Sequence, residues 1–341
     1  MGKAAIFNPY LDTLGGGERY SLSFAKVLAD KGWNVDVEWK DNLIKAKLEQ
    51  RLGIDLSDID FTSDIKKGSG YDLCFWVSDG SIPLLHSRKN ILHFQVPFHD
   101  VDGRTLFNKM KLIRINNIIC NSKFTKSVID KEYGVDSLVI YPPVDTLKIK
   151  PKRKENIILY VGRFSELVQS KRQDILIDAF KRFSKINTSW KLVLAGGSDV
   201  GGSGFVEKLR EKSKNYDIEI MEGIDYQDLL DLYGKARFFW SAAGYGVNEK
   251  LHPEQVEHFG ITTIEAMAAG VVPLVFNAGG QKEIINNSVN GFLWNSINEL
   301  VKTTTNLINE KSELVALSKK VRERSSIFAG ECFEKAVIDL I

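Results

Sequence analysis

The chain has 341 residues, which suits two domains of ordinary size, each with its own core. Its 43% hydrophobic and 26% charged residues exclude a disordered or fibrous chain, and a net charge of +2 is too mild to argue for nucleic acid. Three cysteines, Cys74, Cys120 and Cys332, are widely spaced and form no C-x-x-C pair, so they argue against a disulfide framework or a zinc site and suit a reducing compartment.

No run reaches eighteen apolar residues and the N-terminus has no signal-peptide pattern. The opening Met-Gly lacks the Ser or Thr of the N-myristoylation pattern, Ile6 standing in its place. The expectation is a cytoplasmic protein.

In chain order, KAAIFN reads as a buried strand, and residues 17–31 place Leu22, Ala25, Leu28 and Ala29 on one helical face, with Gly32 as the stop. NVDVEW, YDLCFWV, KNILHF and NIIC are further strands; SKFTKSVIDKEYG is a helix opened by Ser122 and closed by Gly134. LVIYPPV ends this half. The basic stretch KIKPKRKEN, residues 148–156, reads as a linker. The second half repeats the rhythm: NIILYVG strand, SKRQDILIDAFKRF helix, KLVLAGG and IEIMEGI strands, YQDLLDLYGKA helix, RFFWSA strand, ITTIEAMAAG helix and VVPLVF strand. From about Asn298 the pattern is helical to the end. Alternating strands and helices predict α/β architecture: two doubly wound, parallel-sheet domains with a ligand cleft at the carboxyl ends of the strands.

Several clusters fall at those ends. Gly15, Gly16 and Gly17 lie between the first strand and helix, where backbone can approach a phosphate, although neither the dinucleotide fingerprint nor the P-loop pattern is present and a plain tight turn explains them as well. Arg163 and Lys171, in VGRFSELVQSKRQD, could clamp a diphosphate; a solvated basic loop is the alternative, and Arg172 competes with Lys171 for the inward position. Glu257 and Glu265 are eight residues apart. Gly260 separates them, so Glu257 is expected in a loop, the helix begins near Thr262 or Thr263, and Glu265 stands in its first turns, with the amides of Phe259, Gly260 and Ile261 offered to an anion. NAGGQKE adds a second backbone-donor loop. No histidine pair has metal-site spacing, and none of the acidic pairs supports a metal. His93, ending KNILHF on the expected cleft side, has the best functional claim of the five histidines, ahead of His99.

These motifs resemble the retaining GT-B glycosyltransferases of family four (group 1), nearly end to end. VGRF…SKRQDILIDAF, KLVLAGG and EHFGITTIEAMAAGVVPLVFNAGGQKEII stand in the family's order. GGGERY resembles the subset that includes mannosyltransferases acting on lipid-linked oligosaccharides. The resemblance implies two Rossmann-like domains facing each other across a cleft, at 1–150 and 151–327, with a helix at 328–341 crossing back to the first. The first would be the acceptor side and the second would bind the nucleotide sugar. It implies transfer of a sugar, mannosyl or glucosyl, from a GDP- or UDP-sugar to a carbohydrate or lipid-linked hydroxyl with retention of configuration, without a bound metal or cofactor.

Residue by residue, Arg163 and Lys171 would stabilise the leaving diphosphate and Glu257 would meet the donor sugar. Phe259, Gly260 and Ile261 would contact sugar and phosphates, Glu265 would bind the ribose, Gly16 and Gly17 would let their loop close on the diphosphate, and His93 would lie near the reacting centre. The loop 243–256 is longer than the family's, and adds Glu249 and Glu254 as rivals to Glu257. A sugar-nucleotide epimerase and a non-catalytic binding subunit of the same fold are the competing readings.

Finally, between Arg104 and Lys131 seven Lys or Arg face one acid, Asp130, with Phe107, Met110, Leu112 and Ile113 interleaved. This is either a peripheral contact for anionic lipid or a solvated helix whose apolar side enters the core.

Overall fold

Short apolar runs rich in Val, Ile, Leu and Phe form the strands, and the longer amphipathic stretches between them form the helices. The computed structural model describes residues 2–13, 15–165, 169–198 and 203–341; residues 166–168 of the segment VGRFSELVQSKRQD, and Leu14 ahead of the glycine cluster, lie outside these. The chain divides into two units, Met1–Pro143 with Gly330–Ile341, and Val144–Ala329.

The first unit contains β1 (Lys3–Phe7), α1 (Gly16–Asp30), β2 (Asn34–Glu38), α2 (Ile44–Leu52), β3 (Ile59–Thr62), β4 (Leu73–Val77), β5 (Lys89–Phe94), α3 (Leu106–Leu112), β6 (Asn117–Cys120), α4 (Lys123–Tyr133) and β7 (Leu138–Val139). Its seven strands are parallel in the order β3-β2-β1-β4-β5-β6-β7. The predicted caps of α4 are present: Ser122 Oγ accepts from the Thr125 amide at 3.0 Å, and Gly134 closes the helix with φ +67°. β3 carries a short, mixed run, IDFT. Its Ile59 is buried while Asp60 faces out, as befits an edge strand.

The second unit contains β8 (Ile157–Val161), α5 (Gln173–Phe183), β9 (Lys191–Gly196), α6 (Ser203–Ser213), β10 (Ile218–Glu222), α7 (Tyr226–Lys235), β11 (Phe238–Ser241), α8 (Ile261–Ala268), β12 (Val272–Phe276), α9 (Gln281–Ile284), β13 (Phe292–Trp294), α10 (Ile297–Asn309) and α11 (Lys311–Ser325). Its six parallel strands run β10-β9-β8-β11-β12-β13. Every residue of β8 and β11 is buried, the mark of central strands covered on both faces. The basic stretch expected to be a linker is fixed to this unit. The Lys152 amide donates to the Gly234 carbonyl at 3.0 Å, and Lys154 Nζ donates to the Ala269 carbonyl at 2.8 Å. The division therefore falls earlier, between Pro143 and Val144.

The predicted terminal helix is broken at Glu310 and at 326–329. Its last piece, α12 (Gly330–Leu340), belongs to the first unit, where Phe333, Val337 and Leu340 join the core and Phe333 meets Tyr20 of α1 edge-on at 5.1 Å. In both sheets the strand order reverses beside the first strand of the unit, β1 or β8, and such reversal points are where ligands meet the carboxyl ends of strands.

Candidate functional site

In the second unit, β8 ends at Val161 and the chain turns through Gly162 to Arg163, which is exposed. The turn is fixed from below by Gln173, fully buried at the start of α5, whose Nε2 donates to the Arg163 carbonyl at 2.8 Å. Lys171 and Arg172, which competed for the inward position, have separate partners. Lys171 Nζ lies 2.9 Å from Glu257 Oε2 and 2.9 Å from Gln169 Oε1, with little of either charged side chain open to solvent. Arg172 forks onto the Asp174 carboxylate at 3.0 and 3.1 Å and donates to the Tyr245 carbonyl at 2.6 Å.

Glu257 lies in a loop, as expected, and its rivals are occupied elsewhere. Glu249 accepts from the Gly279 amide at 2.8 Å and pairs with Lys282; Glu254 accepts from Gln255 Nε2 at 3.1 Å. The long loop 243–256 is thus a scaffold, tied down by Arg172, Glu249 and a 2.8 Å bond from Gln169 Nε2 to the Val256 carbonyl. The Gly-Gly of NAGGQKE serves close packing. A Cβ on Gly279 would lie 2.2 Å from the Glu257 carbonyl oxygen, and one on Gly280 would lie 2.4 Å from that of His258. The Gly280 amide donates to the Glu257 carbonyl at 2.8 Å, so this loop braces the backbone that carries Glu257.

Helix α8 starts at Ile261, slightly before the expected Thr262 or Thr263, with Gly260 as its N-cap (φ +120°). The first amides of a helix lack intrahelical partners and carry the positive end of its dipole, which suits an anion. The Phe259 side chain is buried and packs on Phe328 at 5.5 Å, so only its backbone is available to a ligand. Glu265, in the second turn of α8, accepts from the hydroxyl of buried Tyr233 at 2.8 Å. Tyr160, at the end of β8, is completely buried; burial raises its phenol pKa, Glu257 raises it further and Arg163 pulls it down, so both charges act on one phenol. Arg163, Lys171, Glu257 and the start of α8 thus lie along one sheet edge.

In the first unit, α1 begins at Gly16, and Gly15 is the N-cap, its amide bound by the Glu18 carboxylate. Gly17 leaves room for another side chain: a Cβ there would sit 2.1 Å from Gln95 Oε1. His93 carries the functional claim made for the histidines. It is the penultimate residue of β5 and wholly buried, stacked on Tyr20 at 4.0 Å and near Phe75 at 5.5 Å. Neither ring nitrogen has a hydrogen-bond partner, and burial holds its pKa down to about 3. His99 faces Asp100, Nδ1 to Oδ2 at 2.9 Å. No local pattern in the sequence singles out Gln95, Gln169, Tyr233 or Gln281, whose contacts here lie far along the chain. Gln281 is buried and donates to Thr263 Oγ1 at 3.0 Å, joining α9 to α8.

Comparison with known proteins places this geometry. A relative from Dictyostelium discoideum, named GDP-Man:Man(3)GlcNAc(2)-PP-Dol alpha-1,2-mannosyltransferase, is 28% identical over 68% of this chain, and the match spans about half (47%) of that protein. A glycosyltransferase of Haemophilus influenzae is 26% identical over 97% of both chains. Among solved structures, Anabaena HepE in complex with UDP-glucose shares the fold across 100% of this chain and 99% of its own, with a TM-score of 0.75 at 18% identity. The family model described as "Glycosyl transferases group 1" matches residues 145–324, more than half of the chain and nearly all of the second unit. The chain belongs to the group 1 glycosyltransferases, and its two parallel-sheet units have the GT-B fold of that family.

Proposed function

We propose that the chain transfers a hexose, mannose or glucose, from a nucleoside diphosphate sugar to an acceptor hydroxyl with retention of anomeric configuration. The observation that carries this reading is the Lys171–Glu257 pair, held at 2.9 Å on a loop braced by Gly279 and Gly280, next to the start of α8. In this reading the diphosphate lies against the first amides of α8, within reach of Arg163 and Lys171. Those cations neutralise the charge that develops as the glycosidic bond to phosphate breaks. Lys171 also keeps Glu257 aimed, so that the carboxylate meets the donor sugar. Glu265, anchored by Tyr233, takes the ribose hydroxyls. The same fixed charges do the work of a metal, so turnover should survive a chelator.

The names of several relatives favour GDP-mannose as donor and a lipid-linked glycan as acceptor. Incubation with labelled GDP-mannose and, separately, UDP-glucose, with lipid-linked acceptor and with or without EDTA, tests the proposal. The expected result is labelled product in EDTA whose new bond, read by NMR coupling constants, keeps the donor's configuration. Inverted product would overturn retention. Epimerised donor without acceptor product would favour an epimerase, and binding of donor without any turnover would favour a binding subunit.

A further inference from the structure

The two readings of the segment between Arg104 and Lys131 differ in where its apolar side chains go, and the structure separates them. Helix α3 has no buried residue. Leu106, Phe107, Met110 and the adjoining Ile113 are 76, 66, 60 and 83% exposed. At about 100° per residue they share an arc of about 120°, since Ile113 keeps the helical conformation. The opposite side faces the protein: Leu112 packs beside the core of Leu92, Phe94 and Ile129, and Asn108 Nδ2 donates to the Asp102 carbonyl at 3.2 Å. The apolar stripe is therefore turned outward. Leu84, 45% exposed, adds a fifth apolar side chain in the neighbouring segment that receives Lys111 and Arg114.

Cations border this stripe. Lys109 and Lys111 flank the arc on its two sides by the helical period. Lys111 Nζ stands 4.4 Å over the Phe107 ring and donates to the Ile82 carbonyl at 2.8 Å. Arg114 donates to the Leu85 carbonyl at 3.3 Å and Arg104 to the Lys131 carbonyl at 2.6 Å. These partners are neutral, so they orient the cations without cancelling their charge. The single acid of the segment, Asp130, is already held by Lys126 at 2.6 Å.

We propose that α3 with Ile113 docks on an anionic phospholipid bilayer: Leu106, Phe107, Met110 and Ile113 enter the boundary between headgroups and acyl chains, while Arg104, Lys109, Lys111 and Arg114 engage the lipid phosphates. A stripe of large apolar side chains bordered on both sides by lysines is the arrangement that lies in a membrane interface. The positive border selects the anionic surface over a neutral one. This inference goes beyond the proposed reaction and does not depend on it.

Co-sedimentation of the full chain with phosphatidylcholine vesicles, with and without phosphatidylglycerol, tests it. The wild type should pellet with the anionic vesicles and less so as salt rises. The triple variant Phe107→Ser/Met110→Ser/Ile113→Ser should partition about tenfold more weakly, and Lys109→Glu/Lys111→Glu should lose the preference for phosphatidylglycerol. The triple variant replaces only outward side chains, so its thermal midpoint and its thermal shift with a nucleotide sugar should match the wild type. Those two readouts report folding and donor binding separately from lipid. Equal pelleting of the triple variant and wild type would overturn the proposal, as would equal binding to neutral vesicles. A wild-type dimer that the triple variant turns into monomer, with no lipid partition by either, would assign the stripe to a second copy of the chain.

Discussion

Strands β1 and β8 occupy equivalent places in their sheets, and the segments at the two carboxyl edges are built from different chemistry. Beyond β8 stand Arg163, Lys171 and Glu257, two of them joined in a mostly buried ion pair. Beyond β1 lies a glycine turn, where Gly17 makes room for the neutral amide of Gln95, and the nearby histidine of β5 is buried and uncharged at neutral pH. One strand order has thus been fitted with a lysine–carboxylate pair in one unit, and in the other with close-packed contacts and a single carboxylate, Glu18, turned onto the Gly15 amide of its own helix start. Taking a lysine and a carboxylate largely out of water is costly, and Lys171 offsets that cost by donating both to the Glu257 carboxylate and to Gln169 Oε1. A diphosphate arriving beside Lys171 would meet a cation that is already oriented.

Breaking the charged edge should have the largest effect. Glu257→Ala should lower kcat by about 10²- to 10³-fold and also lower stability, because the partner Lys171 is left as an uncompensated charge. The double variant Lys171→Met/Glu257→Gln should recover much of the stability and remain inactive. Steady-state kinetics alongside urea unfolding of the three proteins would show this. If the double variant regained activity with stability, the pair would be a structural bridge and the assignment of charge chemistry to this edge would fail.

Tyr233→Phe sharpens the same edge with a smaller expected effect. Its hydroxyl donates to Glu265 at 2.8 Å in a buried setting, and a hydrogen bond to a charged group contributes about 1.5–3 kcal/mol. If that bond aims Glu265 at the ribose, KM for the donor should rise about tenfold while kcat changes little. A fall in kcat at constant KM would instead place Glu265 at the bond being broken.

What could be read beforehand follows from locality. The caps of α4, the strand runs and the placement of Glu257 ahead of the Glu265 helix depend on neighbours in sequence, and they stand in the structure as read. The partners that fix the site are long-range. Tyr233 reaches Glu265 and Gln169 reaches Val256 across separations that no period encodes. His93 shows a subtler limit. KNILHF is a central strand buried on nearly every residue, so it lacks the alternation of apolar and polar residues that would reveal which side faces the helices. In 104–131 charge and apolarity were both visible, and only packing could show that the apolar stripe is turned outward.

His93 gives the smallest effect on turnover and tests the neutral region. Its pKa in the folded protein is about 3, against roughly 6.5 for an unhindered histidine. Between those values the unfolded chain binds a proton that the folded chain does not, so stability should fall as pH drops through this window, by up to about 1.4 kcal/mol per pH unit. His93→Phe keeps a flat ring against Tyr20 and cannot titrate. Repacking a slightly larger ring offsets its stability by about 1–3 kcal/mol at every pH, but the acid-dependent slope should be reduced relative to wild type, and kcat at neutral pH should stay within about twofold. Urea midpoints of both proteins from neutral to mildly acidic pH would measure the slope. An unchanged slope together with a large loss of kcat would mean that the ring reaches a ligand in solution, and the contrast between a charged edge and a neutral one would then have to be redrawn.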